Sequence, residues 1–182
     1  MIYKLADGYY VRGLQQEDIE GSYPSWFEDQ EVCAFNSHGK TFKNKEWFRN
    51  FYLNLNAEDQ IVWAICHHKD GHIGNVSLQG MSFINRNAEF AILIGEKKHW
   101  RKSVGLNAAK ILLTHGFCKL NLTRIYCGTA ETNFGMQKLA LNLGMKEEGR
   151  RRKHIYLNGK WLDMLEYGVL REEFVVAESI EK

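Results

Sequence analysis

Ala88-Glu89-Phe90-Ala91-Ile92-Leu93-Ile94-Gly95-Glu96-Lys97-Lys98-His99-Trp100-Arg101-Lys102-Ser103-Val104-Gly105-Leu106 is the stretch on which the fold turns. Its first half, Ala88 to Ile94, is almost continuously apolar, which marks a central strand covered on both faces. After the loop Gly95 to Gly105 the period changes, and Leu106, Ala109, Leu113, Phe117 and Leu120 form a helical stripe. A loop that delivers a strand into a helix presents unpaired backbone N–H groups at the positive end of a helix dipole, a setting suited to phosphate. Lys97, Lys98, Arg101 and Lys102 add positive charge there, and Ser103 and Gly105 are small enough to let the backbone approach phosphate oxygens. By itself the same stretch also reads as a solvated basic loop ahead of an ordinary helix.

Working outward, Gly8 to Leu14 reads as a short strand, followed by the acidic helix start Gln15-Gln16-Glu17-Asp18. Trp47, Phe48, Phe51 and Leu55 recur at helical spacing and predict a helix over Asn44 to Leu55. Ile61 to His67 and His72 to Gln79 predict two strands paired around the turn Lys69-Asp70-Gly71. Downstream, Arg124 to Gly128 is a strand and Phe134 to Leu143 a helix with Met136, Leu139, Ala140 and Leu143 on one face. Lys146 to Leu157 and Lys160 to Leu170 are strands joined at Asn158-Gly159, a strong signal for a type I′ turn.

Bulk properties bound the rest. A length of 182 residues with 45% hydrophobic content predicts one domain, 1–182, able to bury a substantial core. Pro24 is the single proline and no low-complexity segment is present, so no linker is expected. The longest apolar runs, such as Ile111 to Thr114 and Phe174 to Ala177, are too short to cross a bilayer, and Met1-Ile2-Tyr3-Lys4 does not open a signal peptide. A soluble cytoplasmic protein with no membrane partner is therefore the expectation. Cys33, Cys66, Cys118 and Cys127 lack CxxC spacing, which predicts reduced, buried thiols. A net charge of +2 is too small to imply nucleic acid, and none is expected as a partner. Cys66, His67, His68 and His72 flank a turn without helical ligand spacing, so the histidines read as surface groups and no metal is expected. Arg150-Arg151-Arg152-Lys153-His154 lies on a strand whose alternation halves its basic face.

The loop resembles, by spacing, the pyrophosphate loop of the GNAT superfamily of N-acetyltransferases, Q/R-x-x-G-x-G/A. Trp100, Ser103 and Gly105 fall on its three signature positions, with Gly105 the strict match. Asn133-Phe134-Gly135-Met136 leading to Leu143-Gly144-Met145-Lys146-Glu147-Glu148-Gly149 is similar to that superfamily's N-x-x-(S/A) helix and LGF-x-x-E-G turn. Tyr23 to Val32 is similar to the W-x-x-D-x-E-V opening of its RimJ/RimL-like and polyamine-acetylating members, and Arg150 to Leu170 to their closing hairpin. The resemblance spans nearly the whole chain and is firmest from Ala88 to Leu170.

That likeness implies an α/β (α+β) domain, a twisted mixed sheet of about seven strands flanked by about four helices, using acetyl-CoA. It places Leu93 and Ile94 on the cofactor arm, where the strand splays from its neighbour, and Arg101, Lys102, Ser103, Val104, Gly105 and Leu106 on the pyrophosphate. Asn133 is implied in a polar contact to the cofactor and is equally suited to cap its own helix. Glu89, eleven residues before Trp100, matches a catalytic or water-positioning glutamate of several members. It reads either as the general base that an alkylammonium acceptor requires or as a glutamate that pairs with a basic neighbour or holds substrate. The tyrosine that commonly protonates the departing thiolate is replaced by Ala140; coenzyme A leaves as a comparatively good thiolate, so water or another group can serve, and Tyr126 and Cys127 are candidate substitutes that read first as core residues. The acceptor is a small-molecule or peptide amine. The RimJ/RimL likeness favours a protein N-terminal amine, with an amino-sugar nucleotide or a polyamine as alternatives, for which Glu28, Asp29 and Glu31 form the obvious acidic cluster. A CoA-binding regulatory module is the non-enzymatic alternative, and a homodimer is the candidate assembly.

Overall fold

The computed structural model describes residues 1–56 and 59–175. Val176 and Ala177, which end one of the apolar runs, lie outside them. One eight-stranded sheet organises these residues. In chain order the strands are β1 (Ile2–Lys4), β2 (Tyr9–Gly13), β3 (Ile61–His67), β4 (Gly71–Ser82), β5 (Asn87–Ile94), β6 (Arg124–Ala130), β7 (Lys146–Leu157) and β8 (Lys160–Leu170). Across the sheet the order is β1-β2-β3-β4-β5-β6-β8-β7. Neighbours are antiparallel except β5 and β6, which run parallel. A parallel pair needs a crossover. It is supplied by α4 (Val104–Cys118), while α5 (Phe134–Asn142) connects β6 to β7. Before β3 come α1 (Gln16–Glu20), α2 (Tyr23–Trp26) and α3 (Lys45–Leu53).

Two apolar clusters divide the faces. On one, α4 and α5 pack on Val11, Ile65, Val76, Phe90 and Ile125. Ala108, Ala109, Ile111, Leu112, Leu113 and Phe117 of α4 are all buried, so the helix is covered well beyond the single stripe that periodicity suggested. On the other face, Ile19, Tyr23, Trp26, Phe27 and Phe48 of the early helices gather, with Leu93 and Trp100 against them. Period-two alternation along β5 serves both: Ala88 and Phe90 join the first cluster and Leu93 the second.

The sheet has one strand and the helical layer one helix more than the sequence suggested. β1 is three residues long, too short to show alternation, and α2 is a single turn with Pro24 in its first turn. Asn158 and Gly159 have φ of 49° and 79°, the pair of positive values that a type I′ turn requires. In β7 the expected alternation fails, because the register shifts between Arg151 and Ile155 and Lys153 has φ 49°. Arg150 there pairs with Glu131 and Asp163, and Arg151 with Glu166. Three cysteines are buried as expected, whereas Cys118, at the end of α4, is exposed.

The early helices are tied to the sheet by charge. Arg12 of β2 makes a two-pronged ion pair with Asp18 of α1, at 2.6 and 2.8 Å, and Asp18 also accepts from the backbone N–H of Gln15. Burial pushes the Asp18 carboxyl up, but the hydrogen bonds from Arg12 and Gln15 win and hold it below its ordinary value. Asp18 is thus more acidic folded than unfolded, so its stabilisation is present above the unfolded value near pH ~4 and lost as the pH falls through the lower folded value. Arg12→Met should lower the unfolding free energy by about 3 kcal/mol at pH 7, since it strands a buried carboxylate. In urea titrations that loss should narrow below pH ~4, where Asp18 protonates.

Candidate functional site

The parallel pair β5–β6 holds register for only three positions, Asn87 with Arg124, Ala88 with Ile125 and Glu89 with Tyr126. Beyond Glu89 the strands part. β5 stays with β4 as far as Ile94 opposite Gly74, and β6 stays with β8 as far as Ala130 opposite Met164. Phe90 to Ile94 therefore turn one row of backbone groups toward a gap with no strand partner among the described residues. Such groups must be satisfied by a ligand or by water. Helices start beyond the ends of both strands, α4 after β5 and α5 after β6, and ligands of parallel sheets bind outside the carboxyl ends of diverging strands.

The loop between β5 and α4 is held from several sides. Trp100 donates its indole N–H to the Ile94 carbonyl at 2.8 Å, and Trp26 donates to Glu96 at 3.1 Å. Gly95 donates to the Ile73 carbonyl and lies flat on Trp26, where a Cβ would come within 1.9 Å of the ring. Trp100 thus serves as a structural pin. Ser103, at the N-cap of α4, makes no capping hydrogen bond with its side chain, so the first N–H groups of a fifteen-residue helix remain for a ligand. Arg101 and Ser103 have φ of 61° and 59°. Alternation of left- and right-handed residues turns successive N–H groups into a concavity for an anion. Gly105 needs no such freedom, and a Cβ there would meet Ile92 at an ordinary 3.4 Å.

The expected basic cluster splits in two. Lys97 is bonded to Asp29 and Glu31, both at 2.9 Å, and Lys98 to Asp70 at 2.5 Å. Only Arg101 and Lys102 of the four stay exposed with no ion pair among the described residues. The sequence could not show this, because the carboxylates that engage Lys97 and Lys98 come from elements brought alongside by folding.

Glu89 sits at the fork, half-buried, level with Gln79 of β4 and Tyr126 of β6. Among the described residues its carboxylate makes no direct hydrogen bond or ion pair, although it lies close enough to Arg151 to add to the upward shift that Glu166 gives that guanidinium. Leu93 and Ile94 lie on the unpaired length of β5, and Leu106 in the first turn of α4. Asn133 caps α5, its Oδ1 accepting from the Met136 N–H at 3.2 Å, and its amide N–H groups make no hydrogen bond among the described residues. Cys127 is buried against Met145, and burial, then the nearby Glu89, pushes its thiol up to about 12. It is a core thiol. Tyr126 is half-buried on the same face as Glu89, and Ala140 is fully buried. Cys66, His67, His68 and His72 do not converge on one point. Cys66 is buried, His68 bonds Gly8, and His72 is buried against the Trp26 ring and hydrogen-bonded to Asn75. His67 alone meets other potential ligands, Asp70 and His99.

Residues 10–146, more than half of the chain, match the family described as acetyltransferase (GNAT) domain. The spermidine N(1)-acetyltransferase of Vibrio cholerae is 27% identical over 150 residues, 82% of this chain and 80% of that protein. The N-acetyltransferase YnaD of Bacillus subtilis is 32% identical over 174 residues, 90% of this chain and 94% of that protein. In three dimensions the chain resembles the Vibrio cholerae spermidine N-acetyltransferase solved with CoA and spermine, with a TM-score of 0.83 and 21% identity over 91% of this chain and 97% of that one.

The strained N-cap yields a test of the loop. Ser103→Gly should leave the unfolding free energy unchanged or raise it by up to about 1 kcal/mol, whereas Ser103→Val should lower it by about 1–2 kcal/mol. Thermal denaturation of the three proteins checks the order.

Proposed function

The chain belongs to the GNAT acetyltransferase family, and from that premise we propose that it acetylates a primary amine of the polyamine class, drawing the acetyl group from acetyl-CoA. The gap between β5 and β6 beyond Glu89 carries the proposal. The residues around it fit the cofactor: the β5 backbone along Leu93 and Ile94, apart from the Ile94 carbonyl that Trp100 already engages, for the pantetheine arm, and N–H groups from Arg101 to Leu106 with the Arg101 and Lys102 charges for the pyrophosphate. The leftover amide of Asn133 offers a further polar contact. Acetyl-CoA supplies the activated acyl group.

Glu89 takes the proton that the ammonium form of the acceptor must lose, since only the free amine is a nucleophile. Backbone N–H groups of β5 polarise the acetyl carbonyl. With Ala140 in place of a tyrosine acid, and Cys127 too buried to serve, Tyr126 beside Glu89 is the remaining donor for the leaving thiolate.

A polyamine is favoured over other amines by two observations. The relative from Vibrio cholerae is a spermidine N(1)-acetyltransferase. Glu28, Asp29 and Glu31 follow α2 on the Glu89 face of the sheet, and Lys97 cancels only part of their charge. A cationic chain with several ammonium groups gains from that surplus. A protein N-terminal amine, the acceptor that the RimJ/RimL likeness favours, carries a single positive charge.

Acetyl-CoA in hundredfold excess over its Kd should raise the unfolding free energy by about 2.7 kcal/mol, and an unchanged Tm at saturation would remove the cofactor assignment. Thiol release should be faster with spermidine than with N-terminal peptides or amino-sugar nucleotides. Glu89→Gln should lower kcat by about 10²-fold or more while the acetyl-CoA stabilisation persists.

A further inference from the structure

His99 belongs to the cofactor loop by sequence, yet its ring points away, into a corner between that loop and the β3–β4 turn. It is 3% exposed. Tyr9 of β2 meets its Nδ1 at 2.8 Å, while its Nε2 is buried and, among the described residues, makes no hydrogen bond. That nitrogen stands 3.2 Å from Oδ2 of Asp70, and the same oxygen lies 2.8 Å from Nδ1 of His67. One ligand atom from each of His67, Asp70 and His99 falls within 4.8 Å of the other two.

We infer that His67, Asp70 and His99 form a binding site for a divalent transition metal of the zinc class. Bonds of about 2.0–2.2 Å in a tetrahedron place neighbouring ligand atoms about 3.4 Å apart, so the spacings present need only small side-chain shifts. Two imidazoles and one carboxylate are a donor set that suits zinc. The orphaned Nε2 is explained by it. If Tyr9 accepts from Nδ1–H, the lone pair of Nε2 faces a carboxylate, an arrangement that a cation between them turns from repulsive to attractive. Tyr9 then holds the ring in the ligating tautomer, as outer-shell partners of metal-bound histidines do. Burial also pushes the His99 imidazole below its ordinary value, which keeps it neutral and able to ligate.

Lys98 is the counterweight. Its ammonium is 2.5 Å from Oδ1 of Asp70, leaving Oδ2 for a metal bound through one oxygen, and its positive charge weakens that binding. The metal would brace the β3–β4 turn against the start of the cofactor loop, two segments that meet in this corner through the ion pairs of Asp70 and the packing of the His67 ring on that of His99. This inference is independent of the acetyl-transfer reading, because the site faces away from the gap beyond Glu89.

The test uses tag-free, chelator-treated protein titrated with ZnCl2 by calorimetry, with Co2+ as a spectroscopic stand-in. One equivalent of Zn2+ should bind, Co2+ should develop visible d–d absorption, and Zn2+ should raise the Tm without acetyl-CoA. His67→Ala and Asp70→Asn, both at partly exposed positions, should each weaken binding by about tenfold or more while remaining folded. Lys98→Met should tighten it severalfold. Histidine side-chain NMR should show Zn2+-induced shifts at His67 and His99. Failure of the tag-free protein to bind one equivalent, or binding undiminished in both His67→Ala and Asp70→Asn, would overturn the site.

Discussion

The commitment of β5 to β4 along its whole length is the constraint from which the rest of the structure follows. Gly74 opposite Ile94 closes that pairing, and Gly95 and Glu96 prolong it by donating to the Ile73 carbonyl. β6 is committed to β8 in the same way. Two strands each held by an antiparallel partner to the end cannot also hold each other once the twist carries them apart. The consequence is a gap inside a sheet, a place where hydrogen-bonding groups are exposed without a flexible edge. Its rigidity comes from outside: Trp26 and Trp100 fix the end of β5 by their indole N–H groups, and α4 and α5 cover the opposite face.

The elements that build this gap were legible because their signals are local. The apolar run before Gly95, the helical stripe after Gly105 and the Asn158-Gly159 turn each act within a few residues. β3 appears with the bounds its alternation suggests, Ile61 to His67. The misses share a cause. β1 owes its pairing to β2 and to the tertiary bond between Tyr3 and His115 rather than to a pattern of its own. Whether Lys97 and Lys98 are free depends on Asp29, Glu31 and Asp70, which lie 28 to 68 positions away in the chain. His72 and His99 read as surface groups or loop residues for the same reason, since burial is conferred by Trp26 and Tyr9 from other elements. Resemblance supplied what periodicity could not, namely that the strand before the loop splays.

Glu89 illustrates what position adds to two readings that sequence leaves equal. A glutamate in a strand is ordinarily solvated or paired. Here the last paired register places it level with Tyr126 at the fork, and the basic residues nearby are engaged elsewhere, Arg151 by Glu166 and Arg124 by Glu148. A carboxylate beside a gap that no cation contacts directly among the described residues, with Arg151 near but paired to Glu166, has room for an incoming ammonium group. The same pairings explain why the basic run of β7 offers little free charge despite its composition.

The loop between β5 and α4 shows how a departure from a glycine motif can be tolerated. The left-handed conformation falls on Arg101 and Ser103, while the glycine that matches the motif strictly, Gly105, has φ in the ordinary region. A left-handed non-glycine residue costs about 1–2 kcal/mol. The loop holds that geometry because both of its ends are pinned: the Ile94 carbonyl receives the Trp100 indole, and Ser103 leads directly into a helix buried along most of its length. Strain confined between two fixed points persists, and what it secures is the orientation of N–H groups at the start of α4. With Lys97 and Lys98 already paired, those oriented dipoles, supported by Arg101 and Lys102, carry most of the attraction that the loop can exert on an anion.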